Sequence, residues 1–197
     1  MIHICITSKS FDGQEILRNI RFDIAPGETI ALLGPSGIGK STLLRIVAGL
    51  DRKFVGQVIR PDAMSFIFQE PTLLPWRSAL DNLCLVHSGV SKDVARQMLE
   101  RVGLAGKASA FPTQLSLGQQ RRLALARAFV VPCELLIMDE PFTSLDAAWV
   151  DELIALTREL IAETRPATLM VTHSRPEADV LADRLLELSG TPATITA

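Results

Sequence analysis

The chain has 197 residues, 48% of them hydrophobic, and carries 20 basic against 22 acidic side chains for a net charge of −2. This is enough apolar material for one domain with a buried core and excludes a disordered chain, while the balanced charge gives no general push toward nucleic acid. The longest charge-free run, Ala108 to Gln120, is too short and too rich in Gln, Ser and Thr to cross a bilayer, which needs about 20 mostly apolar residues.

The N-terminal part reads as strands over Ile2–Thr7, Ile20–Ile24 and Thr29–Leu33. Its start lacks the basic residues and long apolar stretch of a signal peptide, so the chain is expected to stay in the cytosol and to reach a membrane only through a partner. Ala25-Pro26-Gly27-Glu28 is a turn signal, because Pro presets one torsion and Gly accepts the other. A helix is expected from about Lys40 to Gly49, with Leu43, Leu44, Ile46, Val47 and Leu50 on its buried side. Val58–Arg60 and Met64–Phe68 read as two more strands, and residues from about 71 to 131 as a mostly helical insertion. Within it Ser91 caps a helix carrying Val94, Met98, Leu99 and Val102, and Leu117–Val131 forms another.

Leu135–Met138 is a buried strand, and Asp146 caps a long helix with Trp149, Leu153, Leu156 and Leu160 on one stripe. A strand at Thr168–Thr172, a short helix near Pro176 and a strand at Arg184–Leu188 complete the reading. Strands alternating with helices predict an α/β domain with a mainly parallel sheet, interrupted by the helical insertion. Cys5, Cys84 and Cys133 have no paired spacing and read as reduced core residues.

Gly34-Pro35-Ser36-Gly37-Ile38-Gly39-Lys40-Ser41 matches the phosphate-binding loop pattern and lies between a strand and a helix, where that pattern works. The glycines let backbone N–H groups curl toward phosphate oxygens, and the helix N-terminus adds positive partial charge. Lys40 reaches the β- and γ-phosphates, the Ser41 hydroxyl ligates Mg²⁺, and Thr42 adds a contact to the α-phosphate. The competing reading is a glycine-rich turn before an ordinary helix; a dinucleotide loop needs no Lys-Ser pair.

Leu135-Leu136-Ile137-Met138-Asp139-Glu140 is an apolar strand ending in two acids. Asp139 is placed to hold Mg²⁺ and Glu140 to take a proton from the attacking water, at the sheet edge where open α/β sheets place ligands. The alternative is a solvated strand tip.

With these two motifs in place, the chain resembles the nucleotide-binding subunit of ABC transporters over nearly its whole length. The resemblance implies a single nucleotide-binding domain over 1–197, with a RecA-like P-loop NTPase core, a small N-terminal antiparallel β subdomain and the helical insertion. It also implies further site residues. Leu115-Ser116-Leu117-Gly118-Gln119 resembles the family signature Leu-Ser-Gly-Gly-Gln, with Leu117 in place of the first glycine. There Ser116, Gly118 and Gln119 would cap the γ-phosphate bound by the other subunit of a head-to-tail dimer; Ser116 is equally a helix cap. Gln69 resembles the glutamine loop that senses Mg²⁺ and the attacking water, Ser144-Leu145-Asp146 the loop that meets the partner subunit, and His173 the switch histidine that orients Glu140 and water. Phe11 stands where the family has an adenine-stacking tyrosine; the chain has no Tyr, and Phe11 also reads as a core residue. His3 and His87 have no such setting.

Phe68-Gln69-Glu70-Pro71-Thr72-Leu73-Leu74-Pro75-Trp76-Arg77 is similar to the ATPases of nitrate, sulfonate and taurine importers, and implies a groove for a short helix of the membrane subunit. Trp76 reads equally as a packing residue of the insertion. The resemblance therefore implies an ATP-hydrolysing, Mg²⁺-dependent homodimer at the cytoplasmic face of the cell membrane. It would energise permease subunits that import small anions such as nitrate or organosulfonates, together with an extracytoplasmic solute-binding protein, and without nucleic acid. The rivals are a soluble ABC ATPase of DNA repair or translation, a P-loop small-molecule kinase and a non-catalytic binding module. The kinase reading leaves Ser116–Gln119 and His173 unexplained.

Overall fold

The computed structural model describes residues 1–85, 87, 89–143 and 147–196, with the side chains of 147 and 148 excepted. The loop Ser144-Leu145-Asp146 and the helix cap expected at Asp146 lie outside the described residues. Two compact units emerge: Met1–Met64 with Glu134–Glu140 and Arg165–Ala197, and Ser65–Cys133 with Pro141–Thr164. The first begins with β1 (Ile2–Phe11), β2 (Gln14–Ile24), β3 (Thr29–Leu33), α1 (Lys40–Val47) and β4 (Val55–Ile59), and β5 (Met64–Ile67) carries the chain onward. The second holds α2 (Ala79–Cys84), α3 (Lys92–Arg101) and α4 (Leu117–Phe129). After β6 (Leu135–Asp139) come α5 (Ala147–Thr164), β7 (Ala167–Val171), α6 (Arg175–Leu181), β8 (Arg184–Ser189) and β9 (Thr194–Thr196).

In the first unit, β1 and β2 form a hairpin closed by Asp12 at φ 49 and Gly13 at φ 82, the paired positive torsions of a turn that matches strand twist. Ile2, Ile4 and Ile6 alternate inward from β1, and Ile20, Phe22 and Ile24 from β2. β4 adds to β1, giving an antiparallel sheet in the order β2-β1-β4. The other sheet runs β6-β7-β3-β8 with parallel pairing, and β9 joins β8 antiparallel. β3, β6 and β7 are almost continuously apolar and buried, as parallel strands covered on both faces must be. Their register brings Leu32, Asp139 and Val171 level, so the C-terminal ends of β3, β6 and β7 share one edge.

The second unit is helical. Ser78 and Ser91 accept from the backbone N–H groups of Asp81 and Val94 and start α2 and α3. Leu83, Leu99, Leu123 and Leu160 are fully or almost fully buried in it.

The departures from the sequence reading have physical causes. β1 and β2 run to Phe11 and from Gln14, because ladder pairing continues through polar residues that carry no apolar signal. Leu50 is exposed, since the helix stops at Val47 and Gly49 turns the chain at φ 74. Trp149 leaves the buried stripe that Leu153 and Leu160 occupy. The cysteines are free, as expected, but partly exposed and not core residues.

Candidate functional site

The first unit holds Phe11, the segment from Gly34 to Thr42, Asp139, Glu140 and His173. β3 delivers the chain into the loop Gly34–Gly39, of which Pro35, Ser36 and Gly37 are exposed. Gly39, at φ 112, is the residue before α1; a Cβ there would lie 2.9 Å from Leu17 Cδ2 and 3.0 Å from Ile16 Cγ2, so no other residue fits without moving a buried leucine. No side chain caps α1 and its first turn holds no acid, which leaves its N–H groups and dipole for an external anion. Lys40 is buried, and its ammonium donates to the carbonyls of Gly34 at 2.8 Å and Pro35 at 3.0 Å. The lysine thus holds the loop curled around its own charge. Thr42 is half-buried one position beyond Ser41.

Asp139 and Glu140 stand at the tip of β6. Ser41 Oγ donates to Asp139 Oδ1 at 3.2 Å, which brings together a hydroxyl and a carboxylate oxygen. Burial pushes the Asp139 carboxyl above the usual carboxylate range; the Ser41 hydrogen bond opposes this and neighbouring Glu140 adds to it. Glu140 sits at φ 45, a left-handed conformation uncommon for a non-glycine residue, and its N–H donates to the Val171 carbonyl at 2.9 Å. Strain of this kind concentrates where side-chain direction matters. Glu140 Oε1 is 3.6 Å from Lys40 Nζ, and Oε2 is 3.2 Å from His173 Nδ1.

His173 follows β7 and is half-exposed. Its turn is braced by Thr172, whose buried hydroxyl accepts from Ser174 N–H at 3.0 Å and donates to Glu177 Oε2 at 2.7 Å. Sequence reading missed Thr172 and Glu177; the hydroxyl before the histidine and the acid in the first turn of α6 were the available signal. Phe11 ends β1 and is 49% exposed, which removes the core reading. His3 pairs with Asp23 at 2.7 Å, and His87 Nε2 lies 3.3 Å from the Arg127 carbonyl.

The second unit holds the remaining candidates. Gln69 is exposed at the end of β5. Ser116 caps α4: its Oγ accepts from Gln119 N–H at 3.3 Å, while Gln119 Oε1 accepts from Ser116 N–H at 3.1 Å. A Cβ on Gly118 would touch the Trp149 ring at 3.4 Å, so the indole lies directly over this glycine.

Two arginines of α4 secure the backbone on either side of Gln69 and Glu70. Arg121 donates to the carbonyls of Phe68 at 3.4 Å and Thr143 at 3.1 Å. Arg127 donates to the carbonyls of Thr72 at 2.8 Å and Pro71 at 3.1 Å, and to Thr72 Oγ1 at 3.1 Å. Asn82, fully buried, donates to the carbonyls of Leu74, Arg77 and Ser78 and accepts from Leu74 N–H. It ties down the segment that carries Trp76, which is 68% exposed and so does not pack inside the insertion.

The first unit therefore has the layout of a P-loop nucleoside-triphosphatase, in which a glycine loop and a carboxylate pair meet at one sheet edge. Residues 17–143 match the ABC transporter family model, and the chain belongs to that family. It is the ATP-binding, ATP-hydrolysing subunit of an ABC transporter. It is 46% identical over 190 residues to the aliphatic sulfonates import ATP-binding protein SsuB 2 of Rhizobium johnstonii, covering 95% of this chain and 76% of that protein. It is 48% identical over 183 residues to SsuB 3, of the same description, from Nocardia farcinica, covering 91% and 73%. Among solved structures it is similar to a dimeric post-hydrolysis state of the ATP-binding cassette MJ0796 bound to ADP and Pi. That match has a TM-score of 0.85 at 26% identity and covers 100% of this chain and 97% of that one. A second dimeric structure of the same cassette gives 0.83 at 27% identity. Among the described residues, no helix is long and apolar enough to cross a membrane.

Proposed function

We propose that two copies of this chain clamp two ATP molecules between them and drive an importer of small organic anions of the sulfonate class. The observation that carries the reading is the connected set in the first unit: Ser41 on Asp139, Lys40 beside Glu140, and Glu140 against His173.

In this mechanism the loop Gly34–Gly39 and the free N-terminus of α1 bind the phosphates through N–H groups. Lys40 exchanges its loop carbonyls for phosphate oxygens. Ser41 and Asp139 are hard oxygen donors, the kind Mg²⁺ prefers, and Gln69 is the third candidate ligand. Among the described residues no cluster of three or more His, Cys, Asp or Glu could hold a metal alone, which suits an ion that shares its shell with phosphate and water. When bound, the ion would neutralise charge on the transferred phosphoryl group. Glu140 takes the proton of the attacking water, and His173 fixes the direction of its carboxylate. Phe11 stacks on the base. Ser116, Gly118 and Gln119 of the second copy complete the γ-phosphate site, so that hydrolysis removes the bridge between copies.

The cargo reading is supported by the names of the sulfonate-import relatives. The exposed Trp76, held out by Asn82, is the anchor proposed for the permease subunits. The work would take place at the cytoplasmic face of the membrane, with a solute-binding protein on the other side.

Replacing Glu140 by Gln tests the catalytic assignment. Phosphate release is expected to fall by about 100- to 10,000-fold with ATP still bound. Native turnover in that variant would remove Glu140 from the role of base.

A further inference from the structure

Lys9 has an environment unusual for a lysine. It is 2% exposed near the end of β1, beside a register shift between Lys9 and Ser10. Its ammonium lies 2.6 Å from Asp51 Oδ2, donates to the Lys53 carbonyl at 2.8 Å, and sits over the Phe11 ring, 4.2 Å from the centroid. A lysine ammonium has three N–H donors, so a carboxylate, a carbonyl and an aromatic face use all three directions. The Lys9 hydrogen bond also holds the Asp51 carboxyl below its usual range. The Asp12-Gly13 turn fixes the strand end from which Phe11 projects. With the cation seated on one face, the opposite face of the half-exposed ring is the one left for a planar ligand.

We infer that Lys9 is a positioning residue for base recognition: anchored by Asp51 and the Lys53 carbonyl, its ammonium locks the Phe11 ring from behind and so presents the opposite face to a purine. The inference rests on the reading of Phe11 as the stacking residue. It explains how phenylalanine serves without a tyrosine hydroxyl to fix the ring. The cation supplies the anchor and draws π-density away from the stacking face.

Asp51 and Lys53 follow α1 in the chain, so a merely architectural Lys9 would act on the phosphate loop as well. Binding of MgADP and of magnesium pyrophosphate to the full chain, measured by calorimetry, separates the two roles. Lys9→Met is expected to weaken ADP about fivefold and to leave pyrophosphate unchanged. Phe11→Ala should weaken ADP by at least that factor, and the double variant no further than Phe11→Ala alone. Where Lys9→Met does not fold, Asp51→Asn, which removes the charge from one of the ammonium's two anchors, is expected to weaken ADP about twofold, again without effect on pyrophosphate. Equal losses for both ligands would make Lys9 a brace of the phosphate loop and overturn the proposal. Unchanged ADP affinity in the Lys9 or Asp51 variant beside a weakened Phe11→Ala would overturn it and leave the stacking reading standing. Unchanged affinity in Phe11→Ala would remove the stacking reading, and this inference with it.

Discussion

Two helices in this protein begin at candidate phosphate contacts, α1 at Lys40 and α4 at Leu117, and they begin in opposite ways. The start of α1 has no side-chain cap and no acid in its first turn, and the nearby lysine is buried against loop carbonyls. The start of α4 is closed on itself, because Ser116 and Gln119 satisfy each other's backbone donors. The first terminus is ready for an anion; the second already spends the N–H groups of Ser116 and Gln119 on its own cap. The contrast suits a site in which one copy holds the triphosphate and the other is recruited to it. The same asymmetry appears in the side chains: Asp139 and Glu140 are tied to Ser41, Lys40 and His173, whereas Gln69 is exposed between backbone carbonyls that accept from Arg121 and Arg127.

The largest effect is expected of Lys40→Met. It removes the buried charge around which the loop curls, and ATP binding is expected to weaken about 100-fold, read by calorimetry or equilibrium dialysis. Near-native affinity would show that the backbone alone makes the site. Next in size is Ser116. Ser116→Ala loses the cap and should lower stability by about 1 kcal/mol, whereas Ser116→Asp keeps the cap but brings a carboxylate toward the triphosphate. The Asp variant is expected to melt like the native protein and to hydrolyse ATP poorly. A variant that melts normally and turns over normally would make Ser116 a cap alone.

The smallest effect concerns Asp139, whose pKa is raised by burial. A carboxyl raised in the folded state contributes stability that is fully present below its ordinary value, about 3.9, and is lost as pH rises through the raised one. At neutral pH the nucleotide-free protein therefore carries a charged group it would hold better uncharged. Asp139→Asn should raise the melting temperature by about 2 °C at pH 7 while suppressing hydrolysis, and the stability difference should vanish in acid. A melting point that fell at neutral pH would contradict the sign.

Much of this was legible in the sequence because its signals are local. The phosphate loop is written in consecutive residues from Gly34 to Ser41, and the tip of β6 in an apolar run that ends in Asp139 and Glu140. Ser91 and Ser116 announced their helices for the same reason: a cap bonds within three residues. What stayed hidden depends on backbone carbonyls as acceptors. Arg121, Arg127 and Asn82 bind carbonyl groups, which every residue has, so no residue type marks their partners. β9 escaped notice because its three residues are a strand only through pairing with β8. Helical spacing points Trp149 to the core, whereas it lies half-exposed over Gly118.

In the proposed mechanism a second copy is recruited to a triphosphate held by the first. This recruitment is tested most directly by light scattering behind size exclusion on Glu140→Gln, with and without MgATP. A monomer is expected without nucleotide and a dimer of twice that mass with MgATP, abolished when Lys40→Met is added. A mass that stays monomeric at saturating MgATP would contradict it.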